Sequence, residues 1–163
     1  MPLLALLPAC ATSDHAAVID REIEMATAMR AKDIQTLEGL MAPDFRLALQ
    51  EIPPFAMTVD NGNPAPGLPG WRWRGNLANM SFGRIELAGV DAVSIDEDLI
   101  AVNMTMTLDE WTAEGQEGAD DLSGSYDLTD IWLNRDGEWR IFSRYSRPRP
   151  GVDRPRADFV IGE

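Results

Sequence analysis

Residues Leu99 to Asp109 (LIAVNMTMTLD) alternate without a break: Ile100, Val102, Met104, Met106 and Leu108 are apolar, while Ala101, Asn103, Thr105 and Thr107 are small or polar. Successive side chains of a strand point to opposite faces, so this segment is a half-buried strand with one face on a core. Long strands flank it. Gly83 to Ile95 reads as one, and its alternation changes phase near Gly89, which predicts a bulge. Ser123 to Asn134 and Glu138 to Ser146 read as a closing hairpin turned at Arg135-Asp136-Gly137, where glycine supplies the positive φ. Such a meander needs something apolar laid across its inner face.

The upstream residues provide it. Ser13 or Asp14 is a suitable helix cap, and Val18, Ile19, Ile23, Ala26 and Met29 then recur at three- and four-residue steps. The intervening Asp20, Arg21, Glu22 and Glu24 read as the solvated side. Asp33 caps a second short helix carrying Ile34, Leu37, Leu40 and Met41, stopped by Pro43, and Asp44 to Gln50 has strand character. Residues 51–70 hold five of the eleven prolines and read as an irregular flap, in which FAMTV forms a short edge strand. Trp71 to Met80 reads as a short helix. Helices followed by antiparallel strands define an α+β fold.

The 163 residues suit one domain, and their net charge of −13 repels phosphate backbones, so nucleic acid is not an expected partner. No apolar run is long enough to span a bilayer. The only cysteine and the only histidine, Cys10 and His15, both precede the strands. That excludes an internal disulfide, a Cys/His zinc site and Ser-His-Asp or Cys-His chemistry. No metal or cofactor is expected. Seven of the fourteen basic residues lie from Arg135 onward, giving that stretch a charge of +2. The charge reads either as a basic strand and tail against an acidic body or as an arginine cluster for an anion. The tail Arg147-Pro148-Arg149-Pro150-Gly151 lacks the N–H groups a ladder needs, and is expected to leave the sheet and run over the surface.

The segment MPLLALLPAC at the start resembles the lipobox of bacterial lipoproteins through Leu7-Pro8-Ala9-Cys10. That resemblance implies lipidation at Cys10, a bacterial cell-envelope or periplasmic location, and a leader and tether over residues 1–13. No Lys or Arg precedes the run, so a frayed terminus on a cytoplasmic protein stays open as the alternative. The domain proper is read as residues 14–147 and the Pro/Arg-rich tail as 148–163.

The hairpin SGSYDLTDIWLNRDGEWRIFSRYS, residues 123–146, resembles the closing hairpin of SnoaL-like members of the nuclear transport factor 2-like superfamily. The helices ending in Met41-Ala42-Pro43-Asp44-Phe45 resemble that group's opening. The resemblance implies a cone: a curved, mostly antiparallel sheet wrapped around helices, with a pocket at its open end and homodimers formed through the outer face. It does not choose among enzymes and binding proteins, because one fold hosts many functions.

Asp130 stands mid-strand, where no exposed loop accounts for it. In the ketosteroid isomerase branch, an acid at the matching position stays protonated in an apolar site and donates a hydrogen bond. Burial favours the neutral carboxyl, so the chemistry fits; the alternative is an ion pair with Arg140 or Arg144, of which Arg144 is favoured. Many relatives carry a histidine just after that arginine, and Tyr145 occupies its place as a candidate catalytic partner. The isomerase base has no counterpart at Leu47 to Gln50, although Glu51 lies close to a pocket mouth. Tyr126 and Trp132 share a face with Asp130. Trp71 and Trp73, with Phe55 and Met57, are candidates to roof an apolar cavity. The ligand-binding set is therefore Trp71, Trp73, Tyr126, Trp132 and Arg144. Two functions follow: a module that binds a small apolar or amphipathic molecule, or an isomerase, cyclase or dehydratase working through Asp130. A scaffold whose cavity is filled by side chains is the third reading.

Overall fold

The computed structural model describes residues 10–49, 57–60, 63–113, 123–151 and 154–162. Its first helix, α1 (Cys10–Ala31), begins ahead of the expected Ser13/Asp14 cap, so residues assigned to a tether form its opening turn. Lys32 takes a positive φ of 57° and ends α1, and Asp33 caps α2 (Ile34–Leu40) by accepting from the Thr36 backbone N–H at 3.0 Å. The chain then enters β1 (Met41–Leu49). The proline-rich region contains β2 (Met57–Asp60) paired antiparallel with β3 (Asn63–Pro66), a hairpin where a single edge strand was expected. Glu51 and Phe55 lie outside the described residues.

After β4 (Leu68–Pro69) come α3 (Gly70–Ala78), β5 (Met80–Ser81) and the long strands β6 (Arg84–Ser94) and β7 (Leu99–Asp109). The short β8 (Thr112–Ala113) pairs with β5, and β9 (Gly124–Arg135) and β10 (Glu138–Pro148) close the meander. Asp136 and Gly137 both have positive φ, 57° and 83°, which makes the β9–β10 connection a type I′ turn. One seven-stranded sheet in the order β11-β6-β7-β9-β10-β1-β4 carries the fold, where β11 is Phe159–Ile161. Every pairing is antiparallel except β1 with β10. The α+β expectation with a mostly antiparallel sheet is met.

Two bulges shape the antiparallel ladders of this sheet, and a third register shift, between Met41 and Arg46, lies in the parallel β1–β10 pairing. The β6–β7 register shifts between Ala88 and Asp91, around Gly89 with its φ of 61°, as the sequence predicted. A second shift lies between Ile141 and Ser143 in β10, and strict alternation did not anticipate it. Phe142 is the extra residue, so Trp139 and Ile141 before it and Arg144 after it all turn to the core. Tyr145 therefore emerges on the side opposite Trp139 and Ile141, 42% exposed.

Val18, Met25, Ala26 and Met29 of α1 and Leu37 and Leu40 of α2 share one core with the inner-face residues Ile85, Leu87, Ile100, Val102, Met104 and Met106. The tail departs from expectation. It crosses back and rejoins the sheet as β11, placing Phe159 opposite Leu87 and Ile161 opposite Ile85. Its arginines hold the crossing in place. Arg149 donates to Thr105 Oγ1 at 2.9 Å, and Arg154 donates to Glu86 at 2.6 Å and to Asp109 at 2.5 Å. The basic tail thus satisfies acids on the sheet's outer face, as expected of a basic strand and tail against an acidic body.

Candidate functional site

The cone leaves a cavity of about 400 Å³ between α3, β1 and the inner faces of β7, β9 and β10. Its wall is apolar: Met29 from α1, Leu47 and Leu49 from β1, Trp73 and Leu77 from α3, Met106 and Leu108 from β7, and Leu128 from β9. Phe82, Trp111 and Tyr126 form an aromatic side, with Trp111 5.7 Å from Phe82 and 5.9 Å from Tyr126 between ring centroids. Asn76 and Pro148, the exposed members of the lining, mark where the cavity meets solvent.

Strand geometry brings a charged cluster to the cavity's edge. The β9–β10 register sets Asp130 opposite Arg144, and the bulge at Phe142 is what gives Arg144 its inward direction. Arg144 Nε donates to both Asp130 oxygens, at 2.9 and 3.0 Å, and Nη2 donates to Oδ2 at 2.5 Å. Asp130 is wholly buried and Arg144 is 3% exposed. The guanidinium lies 5.4 Å from the Trp73 ring centroid, and Trp73 stacks in turn on Phe45. Of the two alternatives for Asp130, the structure has the ion pair with Arg144.

A third member is Glu22, which the helical pattern assigned to solvent. It is 1% exposed, accepts from Trp132 Nε1 at 2.5 Å and from Arg144 Nη2 at 3.2 Å. Burial first, and then the Asp130 carboxylate beside it, hold the Glu22 carboxyl well above its usual range, although Arg144 pulls the other way. Burial also works against the Arg144 charge, but Asp130 and Glu22 outweigh it and keep the guanidinium protonated. The missed signal was positional: Val18, Glu22, Met25 and Met29 follow four-, three- and four-residue steps, so Glu22 sits in the middle of the apolar stripe.

The other candidates fall in different places. Trp73, Tyr126 and Arg144 line the cavity together. Burial raises the Tyr126 hydroxyl above its usual pKa. Trp132 is fully buried beneath Asp130, where its indole serves Glu22 and does not reach the cavity. Trp71 is 64% exposed on the outer side of α3, because the helix turns Gly70, Trp73 and Leu77, at three- and four-residue steps, to the core and leaves Trp71 off that stripe. Tyr145, on the outer face, cannot act with Asp130. Leu77, Leu108, Trp111 and Leu128, which sequence reading did not select, complete the wall. Among the described residues no cluster of His, Cys, Asp and Glu is arranged to hold a metal, and no helix is long and apolar enough to cross a membrane.

No protein-family model and no curated protein matches the chain. Solved structures do. An NTF2-like protein from Cytophaga hutchinsonii superposes with a TM-score of 0.64 at 13% identity, covering 82% of this chain and 97% of its own. A ketosteroid isomerase-like protein from Erwinia carotovora atroseptica gives 0.61 at 14% identity, covering 85% and 98%. A protein with a cystatin-like fold from Nostoc punctiforme gives 0.58 at 14% identity, covering 93% and 98%. The curved sheet closing over helices is thus an α+β cone. More narrowly, the chain has the nuclear transport factor 2-like fold.

Proposed function

We propose that this chain binds a small, predominantly apolar molecule in the cavity between α3, β1 and the β7–β9–β10 wall. The observation that carries the reading is the division of labour at that wall. Neither carboxyl of the buried cluster lines the cavity; Asp130 is held on three contacts by Arg144, and Glu22 lies behind it. A general acid or base must come within hydrogen-bond reach of the proton it moves. What a guest meets instead is hydrocarbon, aromatic faces, one guanidinium and the uncharged polar side chains of Asn76, Tyr126 and Ser146, in a volume within the range of roughly 300–1,000 Å³ usual for small-molecule pockets. The ketosteroid isomerase-like neighbour favours acid/base chemistry by analogy of fold alone.

Native mass spectrometry of the protein purified from its source tests the reading. The expected result is a retained non-covalent mass that disappears in Leu108→Trp, a substitution that fills the cavity from β7. A mass kept equally by that variant places the guest elsewhere. Protein that emerges empty and gains no thermal stability from apolar probes overturns the proposal.

A further inference from the structure

We propose that the C-terminal tail regulates this cavity: docked behind the wall it steadies the rim of the cone and retains the guest, and undocked it lets the guest go. This deepens the binding reading above and rests on it. Wall and tail ride on the same strand ends. Pro148 of β10 stands opposite Tyr126 of β9, Tyr126 stands opposite Met106 of β7, and all three line the cavity. Their neighbours along each strand face outward, and there the tail is fastened. Arg149 donates to Thr105 Oγ1 at 2.9 Å and to Asp127 at 3.4 Å, and its backbone N–H donates to the Ser125 carbonyl at 2.9 Å. Further along, Arg154 binds Glu86 on β6 and Asp109 on β7, the residue after the wall's Leu108. The tail ends by pairing β11 with β6, where the Asp158 carboxylate accepts from the Val90 N–H at 3.0 Å beside the Gly89 bulge.

Burial shows where the tail lies. Thr105, Thr107 and Glu86 point outward and are nevertheless buried, whereas Asn103, the next outward residue of β7, is exposed. The fastening is of a reversible kind. Arg149 and Arg154 are 40% and 41% exposed, so their ion pairs are individually weak and screened by salt. With only three residues in β11, such a segment opens locally while the rest of the sheet stays folded. Lifting it frees the ends of β10, β9, β7 and β6 from the segment that ties them across the outer face. The wall residues sit on those ends, so a looser rim is a looser grip. Coupling of this kind is reciprocal: a guest held better by the docked form must itself hold the tail down.

The test uses the full-length protein and N-phenyl-1-naphthylamine, an uncharged apolar fluorophore that brightens out of water, followed by stopped flow. In the double variant Arg149→Gln/Arg154→Gln, the release rate should rise and the affinity weaken, each by at least about fivefold. Arg140→Gln breaks an equally exposed pair, with Glu138, away from the tail, and should keep wild-type values. The reciprocal measurement needs no variant: in wild type, saturating fluorophore should slow hydrogen exchange at the Phe159–Ile161 amides by a similar factor, at least about fivefold. Release rates that match in wild type and the folded double variant overturn the regulation and leave the binding reading standing. So does β11 exchange indifferent to the fluorophore, even where the double variant does not fold. Equal acceleration in Arg140→Gln assigns the effect to lost charge in general and overturns the proposal too. Natively folded wild type that does not bind the fluorophore overturns the binding reading and this inference with it.

Discussion

Asp130, Glu22 and Arg144 form two acids on one buried base, and that arrangement predicts a strongly non-additive double-mutant cycle. Asp130→Asn removes the main counter-ion of a guanidinium that is 3% exposed. Taken alone, an unpaired buried charge costs roughly 3–5 kcal/mol. Here a reserve is present: Glu22 Oε2 lies 3.2 Å from Arg144 Nη2. Once the Asp130 charge is gone, one of the influences holding Glu22 protonated goes with it, while the attraction of Arg144 remains. Glu22 then ionises and takes over the pairing, limiting the loss to about 1–3 kcal/mol. Glu22→Gln alone mimics the neutral acid and gives up only the longer arginine contact, a cost of about 1 kcal/mol. With both acids neutralised nothing balances Arg144, and the full penalty of about 3–5 kcal/mol returns on top of the lost hydrogen bond. Urea unfolding of the four proteins at pH 7 gives each free energy by linear extrapolation. The loss in the double variant should exceed the sum of the single losses by about 1–3 kcal/mol, the range found for groups in one network. Additivity within about 0.5 kcal/mol would refute the idea that Glu22 is held in reserve.

The same carboxyl gives the wild type a pH signature. Because Glu22 titrates higher folded than unfolded, the native state binds the extra proton between the two values, so stability contributed there is present below its ordinary pKa of 4.5 and lost as pH rises toward the raised value. Measured from pH 4 to 8, wild type minus Glu22→Gln should decline at up to about 1.4 kcal/mol per pH unit; a difference that stays flat or rises would sink the assignment. Gly67 has a φ of 78°, and a Cβ there would run into the Leu47 carbonyl, so Gly67→Ala should cost about 1–3 kcal/mol in thermal unfolding. Gly75, in α3 with open space around it, is the control: Gly75→Ala should stabilise by about 0.5–1 kcal/mol. Arg154→Ala strips Glu86 and Asp109 of a partner that is 41% exposed, and should cost about 1 kcal/mol while raising hydrogen exchange along β6 and β11. Unchanged exchange would show that the arginine does not hold the tail.

Much of this fold was readable because each signal used a period that the backbone imposes. The alternation of Leu99–Asp109 survives intact as β7, the phase change at Gly89 is a bulge, and Asp136-Gly137 makes the turn. The errors in the sheet share one cause: local pattern carries no information about what lies opposite. Nothing in β10 announces the extra residue at Phe142, because a bulge there is defined by its pairing with β9. Missing it reverses every later side chain, so Tyr145, put forward because it takes the place of a relative's histidine, lies on the other face. The prolines around Arg149 argued against a continued ladder, yet β10 pairs through Pro148, opposite Tyr126, and the Arg149 N–H donates to the Ser125 carbonyl, because a proline removes a donor only at its own position. Nor do they announce the strand ten residues further on that pairs through Phe159–Ile161. Glu22 was misread for a different reason. Its position in the α1 stripe fitted the core and its charge did not, and charge was given priority. The rule that acids stay in water holds for a carboxyl without partners. Glu22 has an indole from β9 and a guanidinium from β10, supplied by residues more than a hundred positions away in the chain. The pocket was legible as aromatic and apolar composition; its electrostatics were not, because the state of Arg144 depends on three elements that meet only after the chain has folded.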